Sequence, residues 1–183
     1  MKDYYQNIGL LALSHIKGVG PAFVKKYVNN KYFRTDNLYD DIKAILDEGK
    51  MTVESEEVLH QIELAKALEE RSLKEGIHIV SILSDAYPKE LKVLKDNPGV
   101  IFCAGNLELL NKPAVCIIGS RESNENGERI ASRIGRHFSN HKYSICNGLS
   151  DGIDGFAIQE DGFYFENSIG ILAGGLNYSS KNT

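Results

Sequence analysis

"YSICNGLSDGIDGFA" occupies residues 143–157. A short β-like run, Tyr143 to Cys146, meets a turn holding Gly148 and Gly152, and a helix-like segment follows. "AVCIIGSR" at 114–121 has the same order: an apolar run, a glycine, then polar residues that lead into a helix-like stretch. Strand–glycine turn–helix, met twice, is the signature of parallel strands joined by crossover helices. In open sheets of that kind, ligands bind at the carboxyl ends of the strands. The two turns are therefore the first place to look for a site.

Outward from these turns, "IHIVSIL" (77–83), "GVIFCAG" (99–105) and "SIGILAG" (168–174) are further continuous apolar runs. Such runs suit strands buried on both faces of a parallel sheet. Helices are predicted between them over about 123–140 and 153–160. Before residue 76 the periodicity is helical instead, with helices expected over 4–14, 22–28, 38–48 and 54–75. In the last of these Val58, Ile62, Ala65, Leu68 and Leu73 fall near one stripe, and Gly76 is a natural stop. The sequence thus predicts an all-helical module over 1–75 and an α/β module over 76–183, with the boundary at 74–77. The fold expected for the second is a partial Rossmann-like, mostly parallel sheet.

Composition narrows the function classes. With 42 % hydrophobic and 25 % charged residues, the 183-residue chain reads as globular. No apolar run approaches the ~20 residues that span a bilayer, and the N-terminus lacks a signal-peptide core, so a cytoplasmic location without membrane contact is expected. Cys103, Cys116 and Cys146 are too widely spaced for a zinc site or a disulfide framework; the two in apolar runs read as small buried hydrophobes. No metal, cofactor or catalytic constellation is expected. The net charge of −4 does not announce a nucleic-acid binder, yet residues 17–35 hold Lys17, Lys25, Lys26, Lys31 and Arg34 and no acid.

Three constellations carry chemistry. In "LSHIKGVGPAFVKKYV" (13–28), Gly18 and Gly20 turn the chain between two helix-like runs. This is the pattern of a helix-hairpin-helix, a SAM-like module whose exposed amides hold a DNA phosphate while Lys17 and Lys25 add salt-sensitive attraction. A plain helical hairpin has the same pattern, and both readings stay open. In the turn after 114–118, Gly119 allows close backbone approach, Ser120 offers a hydroxyl and Arg121 a forked pair of donors for phosphate. In the third, Gly148, Ser150 and Gly152 are expected to present backbone and hydroxyl donors. Asp154 reads as an N-cap that shapes the loop. Asp151 has no such role, and would repel phosphate if it pointed inward. Neither turn is a dinucleotide fingerprint or a P-loop. Arg129, Arg133 and Arg136 share a helix face, and read first as a solvated, salt-bridged surface.

The order of these motifs resembles the DNA-processing protein A family, also called DprA or Smf. The residues that carry the resemblance are "YPKELKVLKDNPGVIFCAGNLELL" (87–110), "IIGSR" (117–121) with Gly127, "NGLSDGID" (147–154) and "GILAGGLN" (170–177). Asn147, Ser150, Asn126, Ile158 and Asn177 depart from the family's usual residues, and "YSSKNT" stands where a Tyr-Pro pair is usual. The resemblance implies a non-enzymatic protein that binds single-stranded DNA, associates with itself and loads the RecA recombinase during natural transformation. It also implies a truncated or diverged member lacking the second half of the Rossmann-like domain. Two other readings are a Rossmann-like protein that binds mononucleotides, and a remnant or scaffold without ligand.

Overall fold

A computed structural model describes residues 2–176; Asn177 and the tail "NYSSKNT" expected to be frayed lie outside the described residues. The chain divides into two compact units, Met1–Gly105 and Asn106–Thr183.

The first unit is built on four helices: α1 (Lys2–His15), α2 (Pro21–Tyr27), α3 (Leu38–Glu48) and α4 (Ser55–Lys74). Their apolar stripes meet in one core that includes Ile8, Leu11, Phe33, Ile42, Ile45, Val58 and Ile62. Gly9 lets the Phe33 ring lie flat on α1, where a Cβ would stand 2.3 Å from Cδ1 of the ring. Pro21 opens α2 at a position whose N–H would be unpaired in any case.

Two strands belong to this unit as well. β1 (Ile77–Ser81) and β2 (Val100–Ala104) form an antiparallel pair with Ile79 opposite Phe102. The runs at 77–83 and 99–105 were expected in the parallel sheet, and the unit boundary at 74–77. Both expectations are corrected: the boundary falls after Gly105. The physical reason lies in what β1 packs on. Ile79 belongs to the helical core. From α1, the Asn7 side chain donates to the Ile79 carbonyl at 2.6 Å and accepts from the Ser81 amide at 3.0 Å. Apolar continuity alone does not tell a strand covered by helices from one inside a parallel sheet. Between β1 and β2 a short helix, α5 (Lys89–Lys92), follows Tyr87, which is fully buried with its hydroxyl donating to the Pro98 carbonyl. Burial pushes that hydroxyl's pKa up to about 12.

The second unit holds the parallel sheet. After a 3-10 turn at Leu107–Asn111, β3 (Ala114–Cys116), β4 (Ser144–Asn147) and β7 (Ser168–Gly170) line up in the order β3-β4-β7, all parallel. The crossover from β3 to β4 runs through α6 (Glu125–Asn140), capped by Asn124, whose side chain accepts from the Gly127 amide at 2.9 Å. From β4 the chain enters α7 (Ile153–Ala157), which packs across α6 so closely that a Cβ on Gly135 would sit 1.8 Å from the Ala157 carbonyl oxygen. The helix expected over 153–160 stops at Ala157. Residues 159–164 form a hairpin instead, β5 (Gln159–Glu160) against β6 (Phe163–Tyr164). The intervening Asp161 and Gly162 have φ of 51° and 82°. Positive φ at both central residues is the turn that matches strand twist, and Asp-Gly is its favoured pair.

Candidate phosphate-binding loops

The site is the place where three strands of the second unit end. Each runs into glycine: β3 through Ile117-Ile118 into Gly119, β4 into Gly148, and β7 at Gly170. The loops after β3 and β4 cross. Gly152, with φ of +76°, brings its α-carbon so near the first loop that a Cβ would lie 2.3 Å from the Ser120 carbonyl and 2.5 Å from that of Arg121. No other residue fits both that backbone conformation and that space. The Ile153 amide donates to the Ser120 carbonyl at 3.1 Å and completes the crossing.

Asp154 fastens the two loops together. It is buried, and its carboxylate accepts the Gly119 amide on Oδ1 and the Gly148 amide on Oδ2, each at 3.2 Å. The expected N-cap role is corrected: Gly152 caps α7, and Asp154 lies within the helix with its side chain aimed back at both loops. A carboxylate forms strong bonds to amide donors, and here each of its oxygens serves a different loop. The amides of Gly119 and Gly148 are thereby occupied, and are not donors left over for a ligand.

Asn147 is a brace that sequence reasoning passed over. It is buried, donates from Nδ2 to the Asp154 carbonyl at 2.8 Å, and accepts the Leu149 amide on Oδ1 at 3.0 Å. The readable signal was an asparagine at a strand end, whose side chain bonds the backbone two residues on. This turn holds Leu149 at φ 52°, with its side chain over Gly170, where a Cβ would meet Leu149 Cδ1 at 2.2 Å. All three loops are thus in contact through Gly119, Asp154, Leu149 and Gly170.

What remains for a ligand can be counted residue by residue. Arg121 is exposed, and its guanidinium has no ion-pair partner among the described residues. The Ser120 hydroxyl donates to the Glu122 carbonyl at 2.8 Å, so it steadies the loop and keeps only acceptor capacity. Ser150 is half-buried, with a hydroxyl that makes no hydrogen bond among the described residues. The backbone amides of Ser120, Arg121, Ser150 and Asp151 are likewise unengaged there. Asp151 is exposed. On α6, Arg129 bonds the Asn126 side chain and Arg136 pairs with Glu160 of β5, so of the three arginines expected to form a salt-bridged face only Arg136 makes an ion pair among the described residues.

The structure brings together Gly119, Ser120, Arg121, Gly148, Ser150, Gly152 and Asp154. Lys17, Gly18, Gly20 and Lys25 belong to the first unit. There Gly18 has φ of +95° and Gly20 opens α2 with no side-chain cap. Lys17 and Lys25 are exposed. Helix–turn–helix is the geometry shown; α2 spans seven residues. Among the described residues no group of three or more His, Cys, Asp or Glu could hold a metal ion, and no helix is long and apolar enough to cross a membrane.

Fold and loops together define a class: a mixed α/β protein with a small parallel sheet whose glycine turns converge at the strand ends. Within that class the chain belongs to the DNA recombination-mediator protein A family, whose model matches residues 78–183. It is 30 % identical over 106 residues to the DNA processing protein DprA of Bacillus subtilis, covering 57 % of this chain and 36 % of that protein. It is 38 % identical over 74 residues to DprA of Streptococcus pneumoniae, covering 40 % of this chain and 26 % of that one. The X-ray structure of the Streptococcus pneumoniae protein has a similar fold, with a TM-score of 0.54 at 24 % identity, covering 82 % of this chain and 52 % of that one. The chain spans between about a quarter and a third of the length of these curated relatives.

Proposed function

We propose that the second unit binds the sugar-phosphate backbone of single-stranded DNA at the crossed loops. The observation that carries this reading is the division of labour around Asp154. One carboxylate absorbs the Gly119 and Gly148 amides, while Arg121 and the amides of Ser120, Arg121, Ser150 and Asp151 stay free on the same surface. An exposed fork of donors beside unpaired amides suits a phosphate oxygen. Membership in a DNA recombination-mediator family supports DNA as the source of that phosphate. A single strand's flexible backbone can follow such a loop surface without base-specific contacts. Lys17, Lys25 and the turn at Gly18 and Gly20 are a second, weaker contact in this proposal. Self-association and delivery of the strand to a RecA-type recombinase are its further steps, and no chemistry on the DNA is required.

The test is fluorescence anisotropy with a labelled oligo-dT at several salt concentrations. Arg121→Ala should weaken binding several-fold and reduce the salt slope by about one. Unchanged affinity in Arg121→Ala, or no binding at low salt, overturns the proposal. Stabilisation by mononucleotides but not by oligonucleotides would replace it with the nucleotide-binding reading.

A further inference from the structure

Cys116 and Cys146 were expected to be small buried hydrophobes, and the structure departs from that. Cys116 is exposed and Cys146 half-buried. They are direct partners in the parallel register of β3 and β4. Paired positions in adjacent strands point to the same face, and strands lie about 4.7–4.9 Å apart. That spacing falls inside the Cα separation of roughly 4.4–6.8 Å found across disulfides. The two sulfurs are close enough that charge on Cys116 raises the pKa of Cys146, added to the larger effect of burial. Among the described residues β3 pairs with β4 alone, so the two cysteines face each other across a single strand interface. Cys103 lies in the other unit.

We propose that Cys116 and Cys146 are a thiol-modification site, a cross-strand dithiol that low-molecular-weight disulfides of the glutathione class close into a reversible disulfide. The exposed Cys116 thiolate attacks one sulfur of the reagent, whose S–S bond breaks and releases one thiolate. Cys146, once deprotonated, attacks the Cys116 sulfur and displaces the second thiol. The protein loses two protons and two electrons. The reagent gains both as two free thiols, so the exchange balances. Closure is the slow step, because burial holds the proton on Cys146, and it quickens as pH rises. The bond would fasten the two strands that lead into the crossed loops at Gly119 and Gly148.

The experiment treats the full native chain with oxidised glutathione, quenches in acid, alkylates under denaturing conditions and reads intact mass and peptide map. Two thiols should be lost to a Cys116–Cys146 bond that dithiothreitol reverses, and C103S should behave the same. C116S and C146S should stop at a mixed disulfide or react not at all. Phenylarsine oxide, which bridges dithiols without oxidation, should form a one-to-one adduct with C103S and not with C116S. Three alkylated thiols in the treated wild type, or a bond that includes Cys103 or joins two chains, would overturn the proposal. The wild-type map decides this even where a variant fails to fold.

Discussion

Replacing Asp154 by alanine should loosen both candidate loops at once. The substitution removes two bonds from a carboxylate to backbone amides, at Gly119 and Gly148, each 3.2 Å long. Bonds to a charged acceptor contribute about 1.5–3 kcal/mol each. Both distances are at the long end of the N–H···O range, which argues for the lower value. The two share one acceptor group and are not independent, so the expected loss is about 2–3 kcal/mol. Asp154→Asn should recover less than half of it. The asparagine oxygen can serve one amide, but its NH₂ group then faces the other, donor against donor. Thermal unfolding followed by circular dichroism should show the transition of the second unit falling by roughly 8–24 °C. Amide hydrogen exchange by NMR should show Gly119 and Gly148 losing protection together. Asp151→Ala, made in parallel at an exposed acid, should move neither readout. A shift in stability below about 0.5 kcal/mol, which is ordinary for a surface residue, would refute the clasp. So would protection lost at only one of the two amides.

Three further outcomes are expected. Gly135→Ala, whose new Cβ would stand 1.8 Å from the Ala157 carbonyl oxygen, should push α6 off α7 and cost about 1–3 kcal/mol, seen in urea unfolding. Glu69 is buried, one of its oxygens has no partner, and burial raises its carboxyl pKa, so the folded state holds that proton more tightly than the unfolded chain does. Stability of the first unit should therefore fall as pH rises from the ordinary carboxylate value through the raised one; Glu69→Gln should flatten that slope and gain about 1–2 kcal/mol at neutral pH in a pH series of melts. Asp151→Asn should tighten oligonucleotide binding about two- to fivefold in anisotropy; an unchanged affinity places this exposed acid away from the bound strand.

How much of this was legible in the sequence follows from the kind of signal each feature leaves. The helices α3, α4 and α6 announce themselves by periodicity and stop signals, and the parallel strands β3, β4 and β7 by apolar runs that end in glycine. The strand pair β1–β2 has the same apolar runs and a different fate, because the surface it packs on comes from Asn7 and its neighbours on α1, far off in sequence. The β5–β6 hairpin hid inside a helix-like composition, with Asp161-Gly162 as its one local mark. At the site, the glycines could be read as close approaches. Asp154 could be read as shaping its own loop but not as tying it to a second one, because its partners at Gly119 and Gly148 belong to two loops that meet only once the sheet has formed. Asn147 was visible merely as a departure from the family's usual serine.

The bond pair from Asn7 to β1 has a consequence outside the domain boundary it explains. A peptide unit of a neighbouring strand would offer β1 one donor and one acceptor, and the Asn7 amide offers the same two, to the Ile79 carbonyl and the Ser81 amide. The side chain is a counterfeit strand. It satisfies the outer side of β1 at Ile79 and Ser81 with a group that cannot propagate, so a strand from another molecule finds no vacancy at those two groups unless it first evicts Asn7. In a crowded cell that makes one residue of a helix a guard against the edge-to-edge recruitment by which exposed strands aggregate.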